Sequence, residues 1–231
     1  MKRVSSGIVF FLLWTEFVIG QQTILNEEFW YDLQPEIEGW ETVQGKEPFP
    51  DLHTLSKDEM FNRILEEARY VFSGMVYGFT FSYTPYDKSR GVEEEFLLEP
   101  YQWIQRGDPN LQVFGVRTEG SRVFVRIRYS LRDFQESWYQ GLRSNVVPFS
   151  AGEGEAPFYL GLEGRVRAIQ EGIKNAVREY ARGIVYNKPR NLQGLIVLDA
   201  APRIRVQSGA YRARIGRAFV RLEEITTYQL Y

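Results

Sequence analysis

The sequence predicts an α+β protein in which helices pack on antiparallel sheets, and three observations support this. Two stretches, 56–72 and 165–182, place apolar residues at helical spacing. Runs of alternating polarity flank short turns, a pattern typical of β-hairpins. Strand-like segments follow both helices in the same order, so the chain is predicted to form two helix-on-antiparallel-sheet units.

The first predicted unit spans residues 56–131. Its helix begins at a capping box formed by Ser56 and Glu59, and Gly74 is expected to end it in a left-handed conformation. From Met75 the apolar period changes to two, which predicts a strand that Pro85 ends. Residues 92–105 fit a strand or a short helix equally well. The last two segments, 111–119 and 122–131, are predicted to form a hairpin.

The second predicted unit spans residues 165–231. After its helix we expect a strand at 192–199 and a hairpin of 203–207 with 210–216, with further strand at 217–230. The intervening segment, 132–164, is interpreted as a linker. It offers a short helix and then the stretch SAGEGEAPF, whose glycines and acids predict a surface loop.

A short pattern recurs after both helices. Gly74, Val76 and Tyr77 occur in the same order and spacing as Gly183, Val185 and Tyr186. Two explanations remain open. The halves of the chain descend from an internal duplication, or any helix that stops before a strand favours such residues.

The first twenty residues are predicted to be a cleaved signal peptide. Lys2 and Arg3 precede an apolar stretch, and Val18 and Gly20 occupy the positions that a signal peptidase favours. Cleavage after Gly20 would export the protein, most simply to the periplasm. A retained anchor is the alternative, although the apolar run is short for a membrane span of about 20 residues.

Residues 21–55 are predicted to form an acidic, aromatic arm. They contain eight acidic residues and a single basic one, Lys46, with aromatic residues between them. The arm either packs on its own domain or binds a partner.

Several kinds of chemistry are disfavoured by composition. Cysteine is absent, His53 is the only histidine, and the formal net charge is -2, so thiolate catalysis, histidine metal sites and nucleic-acid binding are not expected. The GEGE stretch at 152–155 does not lead into a phosphate-binding helix, and no cofactor is predicted. Glu93, Glu94, Glu95 and Glu99 leave open a carboxylate-dependent hydrolase of envelope polysaccharide.

The strongest candidate site is basic. Six arginines and no acid occur between residues 203 and 221. Strand alternation places Arg203 and Arg205 on one face, and likewise Arg212 and Arg214. Because guanidinium groups bind carboxylate and phosphate in paired geometry, this face is a candidate anion-binding module for an envelope polymer, a lipid headgroup or an acidic partner. The alternative is a solvated face, or one neutralised by the acidic arm. The first hairpin raises the same question, since it places arginines at three positions: Arg122, Arg126 and Arg128.

The order of a signal peptide, an amphipathic helix, a strand near GMVYGF and the hairpin VFGVRTEGSRVFVRIRYSL resembles the α+β module of two exported bacterial groups. These are the lipoprotein-20 family and the N-terminal region of the flagellar assembly protein FlgT. Residues 56–131 show the resemblance, and 165–222 echo it. It implies a structural and interaction role in the envelope without catalysis. The lipid-bearing cysteine is missing here, and no functional residues can be carried over.

The sequence therefore favours an exported periplasmic or envelope-associated structural and interaction protein that is not an enzyme. An anion-binding role through Arg203, Arg205, Arg212 and Arg214 is the first alternative, and the hydrolase is the second. An envelope protein or an anionic polymer is the expected partner, peripheral membrane association is compatible with the pattern, and the oligomeric state is left open.

Overall fold

The computed structural model describes residues 22–32, 56–144 and 146–228. The predicted signal peptide, His53 and most of the predicted arm lie outside the described residues. The helices and strands follow in chain order: β1 (Ile24–Asp32), α1 (Lys57–Val76), β2 (Phe79–Thr84), β3 (Glu95–Pro100), β4 (Leu111–Glu119), β5 (Arg122–Ser130), α2 (Asp133–Leu142), β6 (Phe149–Pro157), α3 (Gly161–Ile184), β7 (Asn191–Leu198), β8 (Arg203–Gln207) and β9 (Ala210–Thr226).

The strands form two antiparallel sheets, which confirms the predicted α+β class. The small sheet has the order β1-β5-β4. The large sheet has the order β3-β2-β7-β9-β6, with β8 paired to β9. Both predicted hairpins are present, and the ambiguous segment at 92–105 supplies β3. Since β2 pairs with β7, the large sheet combines strands from 56–131 and 165–231, and the predicted boundary between units does not separate the sheets.

Helix α1 contacts both sheets. Phe72 is fully buried and lies 5.9 Å from the ring of Phe29 in β1 and 6.2 Å from that of Tyr129 in β5, measured between centroids. Towards the large sheet α1 packs on β7. The apolar stripe read from the sequence is therefore buried between two layers, which is what its helical spacing predicts.

The predicted end of this first helix is wrong. Helix α1 continues through Gly74 to Val76, and Gly78 supplies the left-handed turn, with φ of +83°. Gly74 serves a different purpose. A Cβ atom there would lie 2.0 Å from the ring of Phe79, so glycine allows that ring to pack against the helix. The following strand accordingly begins at Phe79 and not at Met75.

The recurring pattern does not place its residues in matching surroundings. Tyr77 is buried, and its hydroxyl accepts a hydrogen bond of 2.6 Å from Nε2 of Gln135. Tyr186 is fully exposed, and a Cβ atom added to Gly183 would meet nothing within 4 Å. The two motifs therefore have different roles in packing, whatever their origin.

The Gly-rich stretch at 150–158 was predicted to be a loop, and this is wrong because it forms most of β6. Cβ atoms added to Gly152 and Gly154 would lie 2.2 Å and 2.1 Å from the backbone of Gly172 in α3. The glycines therefore allow strand and helix backbones to touch, and they face α3 while the alternate residues face away. The segment interpreted as a linker contains both α2 and β6.

Part of the predicted acidic arm is β1, the edge strand of the small sheet. Its outward-facing acids lie beside arginines of the hairpin formed by β4 and β5. Oε1 of Glu28 is 2.8 Å from Nη2 of Arg117, and Oδ2 of Asp32 is 3.1 Å from Nε of Arg122. These acids neutralise Arg117 and Arg122.

Helix α2 covers part of the other face of the large sheet. Leu142 packs with Leu195, Val197 and Phe219, and Trp138 borders this cluster. Among the described residues, no helix combines the length and the apolar character needed to span a membrane.

Candidate anion-binding groove

The four predicted arginines lie together on one exposed face, as the sequence indicates. In the register of β8 and β9, Arg203 is directly opposite Arg214, and Arg205 is directly opposite Arg212. The alternate residues point the other way and join the main core: Ile204, Val206, Tyr211 and Ala213. The buried face fixes which way the arginines point, because a shift of one residue would bury them.

Two glutamates of β6 extend this face on the far side of β9. Glu153 pairs in register with Arg214, and Glu155 pairs with Arg212. The shortest distances are 3.5 Å from Nε of Arg214 to Oε1 of Glu153 and 3.4 Å from Nη2 of Arg212 to Oε2 of Glu155. All four side chains are about half exposed or more, so these ion pairs are weak, at about 0–1 kcal/mol each.

These glutamates were not among the predicted site residues, because their stretch of sequence was interpreted as a loop. The signal was present in the alternation of glycine and glutamate along 152–155, which has the period of a strand with one tightly packed face. The acids that form ion pairs with these arginines therefore come from β6. In the described part of the chain, the ion pairs of the arm are with the hairpin of β4 and β5, although Glu28 also lines a smaller cavity beside Arg203 and Arg205.

Arg203 and Arg205 differ from their neighbours across the ladder. Within the described residues, neither has a carboxylate within the 4.0 Å of an ion pair. Each instead faces another arginine, and like charges directly opposite one another in a sheet are destabilising. An anion between the strands would relieve this repulsion.

The four arginines, the two glutamates of β6 and Glu171 of α3 line a groove of about 540 Å³, which we call the arginine groove. Its rim includes Gln207, whose Oε1 accepts a hydrogen bond of 3.3 Å from Nη1 of Arg212. Asn175 of α3 also lines it and donates to the carbonyl of Glu153 at 2.7 Å. Because guanidinium groups stay protonated and donate in a planar fork, the arginines of the groove are suited to holding oxyanions.

The arginines of the other hairpin, β4 with β5, have partners of several kinds. Arg117 and Arg122 are paired with acids of β1, as described above. Arg126 lies 5.4 Å from the ring centroid of Phe114, and Nη2 of Arg128 donates to Oε1 of Gln112 at 2.8 Å. Arg126 and Arg128 form no ion pair among the described residues either, but they lie opposite Gly115 and Gln112, so this hairpin does not repeat the cross-strand pairs of arginines.

Among the candidate carboxylates of the hydrolase alternative, Glu94 is hydrogen-bonded to two neighbours. Oε2 of Glu94 accepts from Nζ of Lys174 at 3.0 Å, and Oε1 accepts from the Tyr83 hydroxyl at 2.8 Å. Burial raises the pKa of Glu94, but these hydrogen bonds outweigh it and the net pKa is lowered, which favours the ionised form. Glu95 and Glu99 are exposed on β3. Among the described residues, no group of three or more acids or histidines could hold a metal ion.

A buried ion pair between α1 and α3 was not predicted from the sequence either. Arg165 of α3 and Glu67 of α1 have side chains that are only 2% and 3% exposed. The contact is bidentate, with Nε to Oε2 at 2.9 Å and Nη2 to Oε1 at 2.8 Å. The guanidinium carbon of Arg165 also lies 4.4 Å from the ring centroid of Trp30. Both charges fall on apolar helix faces, where sequence reading expects a hydrophobic residue.

Comparison with known proteins gives relatives but no activity. A protein-family model matches residues 16–228, which is most of the chain. An "Uncharacterized protein" of Treponema pallidum (strain Nichols) is 30% identical over 166 residues, and these cover 72% of this chain and 69% of that protein. No solved structure matches. The chain is similar to the Treponema pallidum protein, and it belongs to the family whose model spans residues 16–228.

Proposed function

We propose that the protein is an exported, envelope-associated binding protein whose arginine groove holds the anionic groups of an envelope polymer, without catalysis. One observation supports this above all: Arg203 and Arg205 face Arg214 and Arg212 in register, and β6 supplies acids to only one side. The sheet holds the backbone of these arginines in a fixed register, which limits the ordering cost of binding.

The spacing of the arginines favours a polymer over a single small ion. The two cross-strand pairs are separated by two residues along each strand, which corresponds to about 7 Å. Successive anionic groups of a chain can therefore occupy successive pairs. The expected site in the cell is the periplasm, and the support for it is the charged and then apolar N-terminus.

The binding proposal is tested by calorimetric titration of the purified chain with polyphosphate at low salt. R203Q/R205Q should weaken binding by about tenfold or more, because two charge-assisted contacts are lost. R126Q/R128Q is the matched control, since it removes the same charge from another exposed sheet face and should change affinity by less than about twofold.

An equal loss in both variants would show that only net charge matters and would overturn the proposal. Binding of an acidic protein but of no anionic polymer would also contradict it, in favour of a protein partner for the groove.

Export is tested separately by mass analysis of the native polypeptide. We expect a chain that begins at Gln21 and is released with the periplasmic fraction. A polypeptide that retains Met1 in the cytosol would contradict the proposed location.

A further inference from the structure

A pocket separate from the arginine groove lies at the C-terminal end of α3. It is lined by the last turns of α3, by the segment that joins α3 to β7, by the end of β2 and by the residue just before β3. Its volume is about 460 Å³, within the range of about 300–1,000 Å³ that is usual for small-molecule sites. The pocket and the arginine groove have no lining residue in common.

The accessible apolar surface of this pocket comes from two short segments. Pro85 and Tyr86 follow β2, while Val185 and Tyr186 follow α3. The ring of Tyr86 is about half exposed, and that of Tyr186 is fully exposed. A flat apolar body that lay against these rings would be removed from water together with them, which favours its binding. Buried side chains close the base of the pocket: Tyr83, Ala181, Pro189 and Leu192.

Positive charge exceeds negative charge in the lining of this pocket. Three basic residues line it, Arg178, Arg182 and Lys188, against the single acid Glu94. The carboxylate of Glu94 already accepts two hydrogen bonds, as described above, so it is engaged elsewhere. Among the described residues, the side chain of Arg178 forms neither an ion pair nor a hydrogen bond. Its charge therefore remains available to a ligand.

The two arginines of the pocket lie one helical turn apart. Arg178 and Arg182 are four residues apart in α3, so they are neighbours on one face, where like charges destabilise a helix and an anion would relieve the repulsion. The ion pair of Arg182 with Glu179, at 3.2 Å, is exposed and therefore weak. On the other segment, Nζ of Lys188 donates to the carbonyl of Tyr86 at 2.7 Å, which joins the two apolar segments.

We propose that this pocket binds a small organic anion whose acid group lies on Arg178 and Arg182 and whose flat, apolar body lies against Tyr86 and Tyr186. An aromatic carboxylate is the simplest molecule with both features. An anion without a ring would meet the arginines but leave the tyrosine rings in water, and a neutral ring would do the reverse. Among the described residues, the lining of the arginine groove includes no aromatic side chain, so this site is independent of the proposed function.

Three probes separate the two features when each is titrated into the purified chain by calorimetry at low salt. The probe 1-naphthoate has both the acid group and the ring, 1-naphthamide has the ring without the charge, and acetate has the charge without the ring. We expect naphthoate to bind at least about tenfold more tightly than either of the others.

Two variants assign this binding to the pocket. R178Q should lower naphthoate affinity by about tenfold and leave naphthamide affinity unchanged, because only the charged probe uses the guanidinium. R167Q is the matched control, since Arg167 is also exposed on α3 but does not line the pocket, and it should change affinity by less than about twofold. Y186A should weaken naphthoate and naphthamide by a similar factor of about threefold, with I184A as its exposed control outside the pocket.

Equal affinities for naphthoate and naphthamide would overturn this inference, because the arginines would then contribute nothing. Equal losses in R178Q and R167Q would also overturn it, since net charge alone would explain the binding. The same holds for naphthoate binding that is absent, or that Y186A leaves unchanged. None of these results bears on the arginine groove, which is tested with polyphosphate and R203Q/R205Q.

Discussion

The two arginine-bearing hairpins of this protein differ in how their charge is balanced. In the hairpin of β4 and β5, Arg117 and Arg122 meet acids of β1. In the hairpin of β8 and β9, two arginines meet acids of β6, while Arg203 and Arg205 face other arginines. Acids of a neighbouring strand thus neutralise Arg117 and Arg122, whereas Arg203 and Arg205 face other arginines and form no ion pair among the described residues.

The difference arises from which strand lies next to each hairpin. Acidic β1 borders β5, so its carboxylates reach arginines on both strands of that hairpin. Strand β6 borders β9 on the side away from β8, so its carboxylates reach only the nearer pair. Sheet order therefore decides which arginines have an acid within reach.

Arg165 is both deeply buried and neutralised by Glu67, so removing its charge should have the largest effect on stability. R165M leaves Glu67 buried without a partner, and we expect a loss of about 3–5 kcal/mol in the free energy of unfolding. The paired variant R165M/E67M should recover much of that loss. Urea unfolding measures both values, and equal destabilisation by the two variants would contradict this account of the pair.

The second-largest effect is expected from a change that disturbs the packing of β6 against α3. In G154A, the added Cβ atom would lie 2.1 Å from the backbone nitrogen of Gly172. Because this nitrogen belongs to the backbone of α3, it cannot easily move away. We expect a loss of about 1–3 kcal/mol in unfolding free energy. G141A is the control, because a Cβ at Gly141 meets nothing within 4 Å. Equal stability of the two variants would show that β6 and α3 are not closely packed.

Removing the acids of β6 should sharpen the contrast between the hairpins. E153Q/E155Q frees Arg212 and Arg214 from their ion pairs, and polyphosphate affinity should rise by about threefold or more. Unfolding free energy should change by less than about 1 kcal/mol in total, because the pairs are exposed. Unchanged or weaker affinity in calorimetry would mean that these glutamates do not compete with the ligand.

The smallest effect is expected in the neutralised hairpin. E28Q removes one of the acids that pair with Arg117. The face should therefore bind polyphosphate weakly at low salt and lose this binding at high salt. Ion-exchange retention at low and high salt measures it, with E95Q as a control that removes an exposed acid from β3. Equal retention of the two variants would argue against neutralisation by β1.

Much of the fold follows from the sequence because periodicity reports burial directly. Helices at 56–72 and 165–182, both hairpins and the shared face of Arg203 and Arg205 could all be predicted in this way. The end of α1 could not, since Gly74 is required by the ring of Phe79, a contact that only the folded chain creates. The same holds for β6, whose glycines suggest a loop until α3 is seen packed against them.

The candidate site was predictable only in part, for a similar reason. Alternation places the four arginines on a face, but it does not reveal which strands become neighbours. The pairing of β2 with β7 and of β6 with β9 joins distant segments, and that pairing determines which acids reach which arginines. The buried pair of Arg165 and Glu67 was hidden because its partners lie on separate helices.

The central claim is that Arg203 and Arg205 bind an anion while the arginines of β4 and β5 do not. Titration of the ¹⁵N-labelled chain with polyphosphate, followed at the arginine Nε–H signals by NMR, tests it most directly. The account predicts shifts of the Arg203 and Arg205 signals at concentrations that leave those of Arg126 and Arg128 unmoved. Simultaneous, equal shifts of all four signals would contradict it.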